Sequence, residues 1–280
     1  MKHFLLYSLI FLSFELFARQ IDEATFSYWN KPDSKIYYSV PESIDENTKI
    51  IFIMHGASRT AEKYINDWLP LVQNRNVVLI APKFSKESFP EYVYLMMSTE
   101  RGKLLKDESL YLSDSLGVLF DFFKSKLKLS TTTFRLYGHS GGSQFVHRYL
   151  LLSDETRIEK VAMANAGFYT FVDRQTSYPF GIKNMNVSDE RIEWLLRLKG
   201  GVFLGDEDNN PAHHSLPSMH KAKKQGRHRF ERGTNFFNDL IGLGVENNLP
   251  FRWRYQTVPG VAHDNAGMSL AASEFLLEDL

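Results

Sequence analysis

Apolar residues in this chain follow two rhythms. Short, nearly continuous runs occur at 49–54 (KIIFIM), 77–81 (VVLIA), 158–164 (IEKVAMA) and 201–204 (GVFL). Runs of this length predict strands buried on both faces. Further strands are read at 35–40 (KIYYSV), at the apolar stretch from Phe134, and at 251–258 (FRWRYQTV). Between them the spacing changes. Leu112, Leu116, Leu119, Phe120, Phe123 and Leu127 recur at three and four residues and predict an amphipathic helix within 110–127. Trp68, Leu69 and Val72 mark a helical pattern after the 49–54 strand, and others fall at 143–152, 190–198, 234–245 and 267–277. Strands alternating with helices predict an α/β fold: a mostly parallel sheet with helices on both faces. No repeat, low-complexity tract or linker interrupts positions 19–280, which are read as one domain. Positions 83–108 form a long irregular stretch, and long loops in compact domains are often functional. Positions 168–199 predict a small lid, and Phe168, Tyr169, Tyr178 and Phe180 are candidate walls of a substrate pocket.

The first 18 residues stand apart. A basic start, Met1-Lys2-His3, precedes an apolar run at 4–17 and then Ala18, the form of a secretory signal peptide. The run is shorter than the roughly 20 residues a membrane span needs. The alternative is an uncleaved N-terminal anchor, and in both cases the body of the protein is secreted or periplasmic. No stable membrane insertion is expected beyond that leader.

Composition narrows the chemistry by exclusion. With no cysteine, disulfides, thiolate metal sites and a cysteine nucleophile are ruled out. Lys+Arg and Asp+Glu balance at 33 each, which argues against a nucleic-acid partner. The basic stretch Lys221, Lys223, Lys224, Arg227, Arg229 and Arg232 is accordingly read as a solvated face. Asp206-x-Asp208-x-Asn210 resembles a calcium loop, but Pro211 occupies the glycine position and no glutamate closes the loop. His213, His214 and His220 lack ordered spacing with a carboxylate and are read as loop residues. Neither a metal nor an organic cofactor is expected.

One stretch carries specific chemistry. In 134–142 (FRLYGHSGG) a strand runs into a G-x-S-x-G turn and then a helix, which would hold Ser140 on a sharp elbow at the top of a sheet. A serine hydroxyl is a weak nucleophile until a neighbouring base removes its proton. His263, in the loop after the last strand, is the candidate base; the acid candidate lies in Gly205-Asp206-Glu207-Asp208, directly after the 201–204 strand. Loops at the carboxyl ends of parallel strands converge, so these distant residues are expected to meet. A tetrahedral oxyanion needs preorganised N–H donors. Gly141 would supply one, and Ala57 or Ser58, after His55-Gly56, the other. His55 is expected to order that loop, and His139 to be structural.

His55-Gly56, Gly138-His139-Ser140-Gly141-Gly142, Gly205-x-x-Asp208 and Pro259-Gly260-Val261-Ala262-His263-Asp264 together resemble the motifs of a secreted α/β-hydrolase, similar to the esterase and poly(3-hydroxybutyrate) depolymerase-like group. The resemblance runs from about Ser34 to the C-terminus. It implies an α/β-hydrolase fold with the lid between the strand after the elbow helix and the acid strand. It also selects Asp208 over Asp206, because the acid in that group sits three residues after the glycine closing its strand. The implied activity is cleavage of a small-molecule or oligomeric carboxylic ester through an acyl-enzyme. A separate polymer-binding module, frequent in depolymerases, is not visible. The alternatives are a peptidase of the same fold and a catalytically silent extracellular binding protein.

Overall fold

The structure is a computed structural model that describes residues 19–280; the expected signal peptide at 1–18 lies outside the described residues. Eight strands form one sheet: β1 (Asp22–Phe26), β2 (Ser34–Ser39), β3 (Lys49–Met54), β4 (Val77–Lys83), β5 (Phe134–His139), β6 (Ile158–Ala164), β7 (Lys199–Gly205) and β8 (Trp253–Val258). Their spatial order is β1-β2-β4-β3-β5-β6-β7-β8. β1 and β2 run antiparallel to their neighbours, and every pairing from β4 to β8 is parallel. The helices are α1 (Ala61–Trp68), α2 (Ser115–Lys126), α3 (Gly141–Leu152), α4 (Asp189–Arg197), the single turn α5 (His220–Lys223), α6 (Arg229–Glu246) and α7 (Asn265–Leu276). None in the described residues is long and apolar enough to cross a membrane.

The alternation of strand side chains divides the core into two layers. Ile50, Phe52 and Met54 of β3 point to one face, with Val78 and Ile80 of β4 and Phe134 and Leu136 of β5. Ile51, Ile53, Val77, Leu79 and Tyr137 point to the other, beneath α1 and α7. α2, α3, α4 and α6 cover the first face. α3 is buried from Gly141 to Leu151, so further chain must shield its outer side.

Several boundaries differ from the sequence expectation for local reasons. β1 went unforeseen because DEATF is a mostly exposed edge strand with little apolar signal. β4 runs through Pro82, which sits opposite Ile36 of β2 beyond the last β3 pair at Ile80; a proline there leaves no ladder bond of β3 unmade. α2 starts at Ser115, because Asp107 accepts from Ser109 N–H and closes a separate short turn over Glu108–Leu110. α6 begins at Arg229, five residues before the apolar pattern suggested, with the His228 ring accepting from Glu231 N–H as its cap.

Candidate active site

Gly138 and Gly142 make the turn between β5 and α3 possible. A Cβ on Gly138 would come within 2.5 Å of Gly142 O, and one on Gly142 within 1.9 Å of Met54 O. Only glycine permits so close a backbone approach. Ser140 takes a positive φ between them, with φ 57° and ψ −119°, a strain that surrounding structure must hold. Its N–H is tied to Ala164 O at 2.9 Å, at the tip of β6, and its carbonyl accepts from Gln144 N–H at 3.1 Å.

Two loops bring partners to the serine. His263 Nε2 lies 2.9 Å from Ser140 Oγ, and its Nδ1 lies 2.6 Å from Asp208 Oδ2. The carboxylate can only accept, so Nδ1 carries the proton and Nε2 is free to accept from the serine hydroxyl. The loops are braced against each other. Asp206 Oδ1 accepts from Gly260 N–H at 2.7 Å, and Glu207 N–H donates to Val261 O at 3.1 Å. Asn165, at the end of β6, accepts from Gly205 N–H at 3.0 Å and donates to Ala262 O at 3.3 Å. Asp208 is thus the carboxylate against His263, while Asp206 holds the loop that carries His263.

A Cβ on Gly141 would stand 2.6 Å from Ala57 N, which places that N–H against the first turn of α3. Ala57 and Ser58 both line the cleft over Ser140. The strand leading there is pinned by His55, whose Nε2 accepts from Phe84 N–H at 3.1 Å and whose Nδ1 donates to Gly56 O at 2.9 Å. Tyr92 O–H donates to His55 O at 3.0 Å. His55 therefore orders the loop, as expected.

The cleft has a volume of about 750 Å³ and is walled partly by Pro90, Glu91, Val93 and Tyr94 from the long 83–108 stretch. Gln144, Gly167, His214, Ser215 and Pro217 close the other side. The expected ring pocket is corrected here. Phe168, Tyr169, Tyr178 and Phe180 are buried in the core and do not line this cleft. Phe168 stacks on Phe180, Tyr169 stacks on Phe236, and Tyr178 O–H donates to Tyr94 O. The segment from 168 lies between β6 and β7 as anticipated, but its rings turn inward to cover α3. His147 and Arg148 of α3 draw it down, the first accepting from Thr170 N–H at 2.9 Å and the second donating to Thr170 Oγ1 at 3.0 Å.

The solvated-face reading of the basic stretch is corrected in part. Lys221, Lys223, Lys224 and Arg227 are exposed, but Arg229 and Arg232 are each only 1% exposed. Arg229 donates to Asp208 Oδ1 at 3.3 Å and to Ser215 Oγ at 2.9 Å. Arg232 donates to Gly167 O and Pro217 O and so fastens the cleft wall. The signal was present: 229, 232, 233, 236, 237 and 240 share one helical face, and Phe236, Phe237 and Leu240 mark it as buried. His213 and His214 also prove to be near the site. The His213 ring meets His263 edge-on at 5.4 Å and stacks on His214 at 4.5 Å. His220 begins α5 and is exposed.

Three buried histidines hold the site as neutral rings. Burial pushes His55 down to about 3. Burial, with smaller contributions from His263 and Arg229, holds His139 far below the ordinary imidazole range, and burial does the same for His147 beside Arg148. His139 takes a hydrogen bond from Tyr64 at 3.0 Å and lies over His263 with ring centres 4.8 Å apart. All three rings bind a proton in the unfolded chain below about pH 6.5 but not in the folded one. Their stabilising contribution is complete above that pH and is lost as the pH falls toward the folded values. Each ring withdraws its contribution over that window, so the three losses add and stability falls as the pH falls. Urea midpoints measured between pH 6.5 and 4.5 should fall accordingly, and a flat profile would contradict the burial of these rings.

Comparisons place the fold among solved structures. No protein-family model matches the chain, and no curated protein matches it. Poly(aspartic acid) hydrolase-1 from Sphingomonas sp. KT-1 is 31% identical and superposes with a TM-score of 0.85, covering 91% of this chain and 97% of its own. LpqC, a poly(3-hydroxybutyrate) depolymerase from Bordetella parapertussis, is 23% identical with a TM-score of 0.83, over 93% of this chain and 91% of its own. The S-formylglutathione hydrolase FrmB from Staphylococcus aureus is 13% identical with a TM-score of 0.56, over 93% and 98%, and like LpqC it speaks for the fold alone.

Proposed function

The chain belongs to the α/β-hydrolase family, and on that premise we propose that it is a serine-dependent hydrolase of carboxylic esters, with residues 19–280 acting as one catalytic unit. The observation that carries this reading is the unbroken hydrogen-bonded series from Ser140 Oγ through His263 to Asp208. In the first half-reaction His263 Nε2 takes the hydroxyl proton as Ser140 Oγ bonds to the ester carbonyl carbon. The carbonyl electron pair moves to oxygen, where the N–H groups of Gly141 and Ala57 stabilise the negative charge. Collapse of the adduct breaks the bond to the alcohol, which leaves with the proton from His263. Water then gives its proton to His263 and attacks the acyl carbon; the acid departs, and the proton returns to Ser140. Asp208 stabilises the imidazolium in both halves.

A second reading keeps the same steps and replaces the ester by an amide, and the 31% identity to a poly(aspartic acid) hydrolase favours it. Parallel assays on nitrophenyl esters, hydroxybutyrate oligomers and poly(aspartic acid) separate the two. A fluorophosphonate should label the folded protein at Ser140, as located by mass spectrometry. Folded protein that stays unlabelled would point instead to a silent binding protein. The leader read at 1–18 makes this an extracytoplasmic enzyme, which N-terminal sequencing of material from cell fractions tests.

A further inference from the structure

Arg229 belongs to no part of the chemistry assigned so far, yet it reaches the far side of Asp208. The carboxylate is divided between two partners: Oδ2 faces His263 Nδ1 at 2.6 Å, and Oδ1 faces Arg229 Nη1 at 3.3 Å. Arg229 and Asp208 are exposed by only 1% and 2%, so neither charge is screened by water as a surface pair would be. The guanidinium is held from a second direction by Ser215 Oγ at 2.9 Å, and Phe230 N–H donates to Asp208 O at 3.3 Å. The start of α6 thus clamps both the side chain and the backbone of the acid.

We propose that Arg229 is a positioning residue that acts through Asp208, fixing the carboxylate in line with His263 and balancing the charge of the pair. This rests on the serine-hydrolase reading for its catalytic consequence, but not for its physical test. A buried cation beside the pair opposes the gain of a further proton. It thereby holds Asp208 as the acceptor for His263 Nδ1, with Nε2 turned to Ser140. The other groups facing His263 are Ser140, the neutral His139 ring above it, and the His213 ring at its edge. Arg229 also lowers the proton affinity of both flanking histidines, behind the larger effect of burial. Lys63 adds a weaker contribution at His139. Asp264 follows His263 directly, but its side chain caps α7 by accepting from Gly267 N–H.

The test is an NMR titration of the His263 imidazole in ¹⁵N-histidine-labelled protein, assigned by the loss of its signal in His263→Asn. In Arg229→Met the midpoint should move up by about one pH unit, while Arg229→Lys, which keeps the charge, should stay within about 0.3 of wild type. The acid limb of kcat/KM should move with it, and kcat should fall about tenfold while KM changes by less than about threefold. Arg229→Gln, which retains a donor without the charge, is read the same way if the methionine variant does not fold. A midpoint that stays in place in a folded, uncharged variant overturns the role of Arg229. Variants that shift as described, in a protein whose wild type resists fluorophosphonate, overturn the hydrolase reading alone.

Discussion

Replacing Ser140 by alanine is expected to abolish turnover, lowering kcat by roughly six orders of magnitude if the serine, histidine and aspartate act as a unit. The size of the effect follows from what remains. Without the hydroxyl no acyl-enzyme can form, and His263 and the two N–H donors can only assist water on an unactivated carbonyl. The fold should survive. Alanine at φ 57° meets a strain comparable to that of serine, and among the described residues the Ser140 side chain hydrogen-bonds to His263. Circular dichroism and urea midpoints close to wild type, together with activity at background, are the expected pair of results. Near-wild-type hydrolysis of a nitrophenyl ester by this variant would remove Ser140 from the mechanism.

Asp208→Asn is the second large effect, expected to lower kcat on the order of 10⁴-fold. Asparagine keeps the shape but can turn its NH₂ toward His263 Nδ1. The ring then holds its proton on Nε2, facing Ser140, where a lone pair is needed. The control is Asp206→Asn. The contact of Asp206 is an acceptance from Gly260 N–H at 2.7 Å, which an asparagine carbonyl can still provide. Its loss of activity should therefore be far smaller. Were the two effects reversed, the acid would have to be reassigned to Asp206.

The parts of this architecture that were legible in the chain are those encoded locally or by order. The elbow can be read from nine consecutive residues because its glycines exclude every other side chain. The apolar runs of β3 and β6 were read with their observed limits because both strands are central and buried throughout their last four residues. Ser140 and His263 follow from the positions of loops after parallel strands, whereas that rule leaves Asp206 and Asp208 open and the family resemblance selects between them. What escaped the reading was set by distant packing. Phe168 and Tyr169 look like pocket walls until α3 is seen to be buried on all sides and in need of cover. Arg229 looks like one charge in a solvated run until the face it shares with Phe236 and Leu240 is traced back to the helix start. Charge in a sequence reads as exposure; only a partner such as Asp208 reverses that expectation.

β6 offers no group to the proposed chemistry, yet it stands between the strand carrying the nucleophile and the strand carrying the acid. The residue that directly follows it, Asn165, receives a proton donor from Gly205 and presents one to Ala262. Of the side chains of that length, only a carboxamide can do both; aspartate would set a negative charge against a carbonyl, and leucine would leave both groups dry and unmatched. Grafting the serine, acid and histidine loops onto a foreign scaffold would accordingly give an inert mimic unless this silent spacer travelled with them.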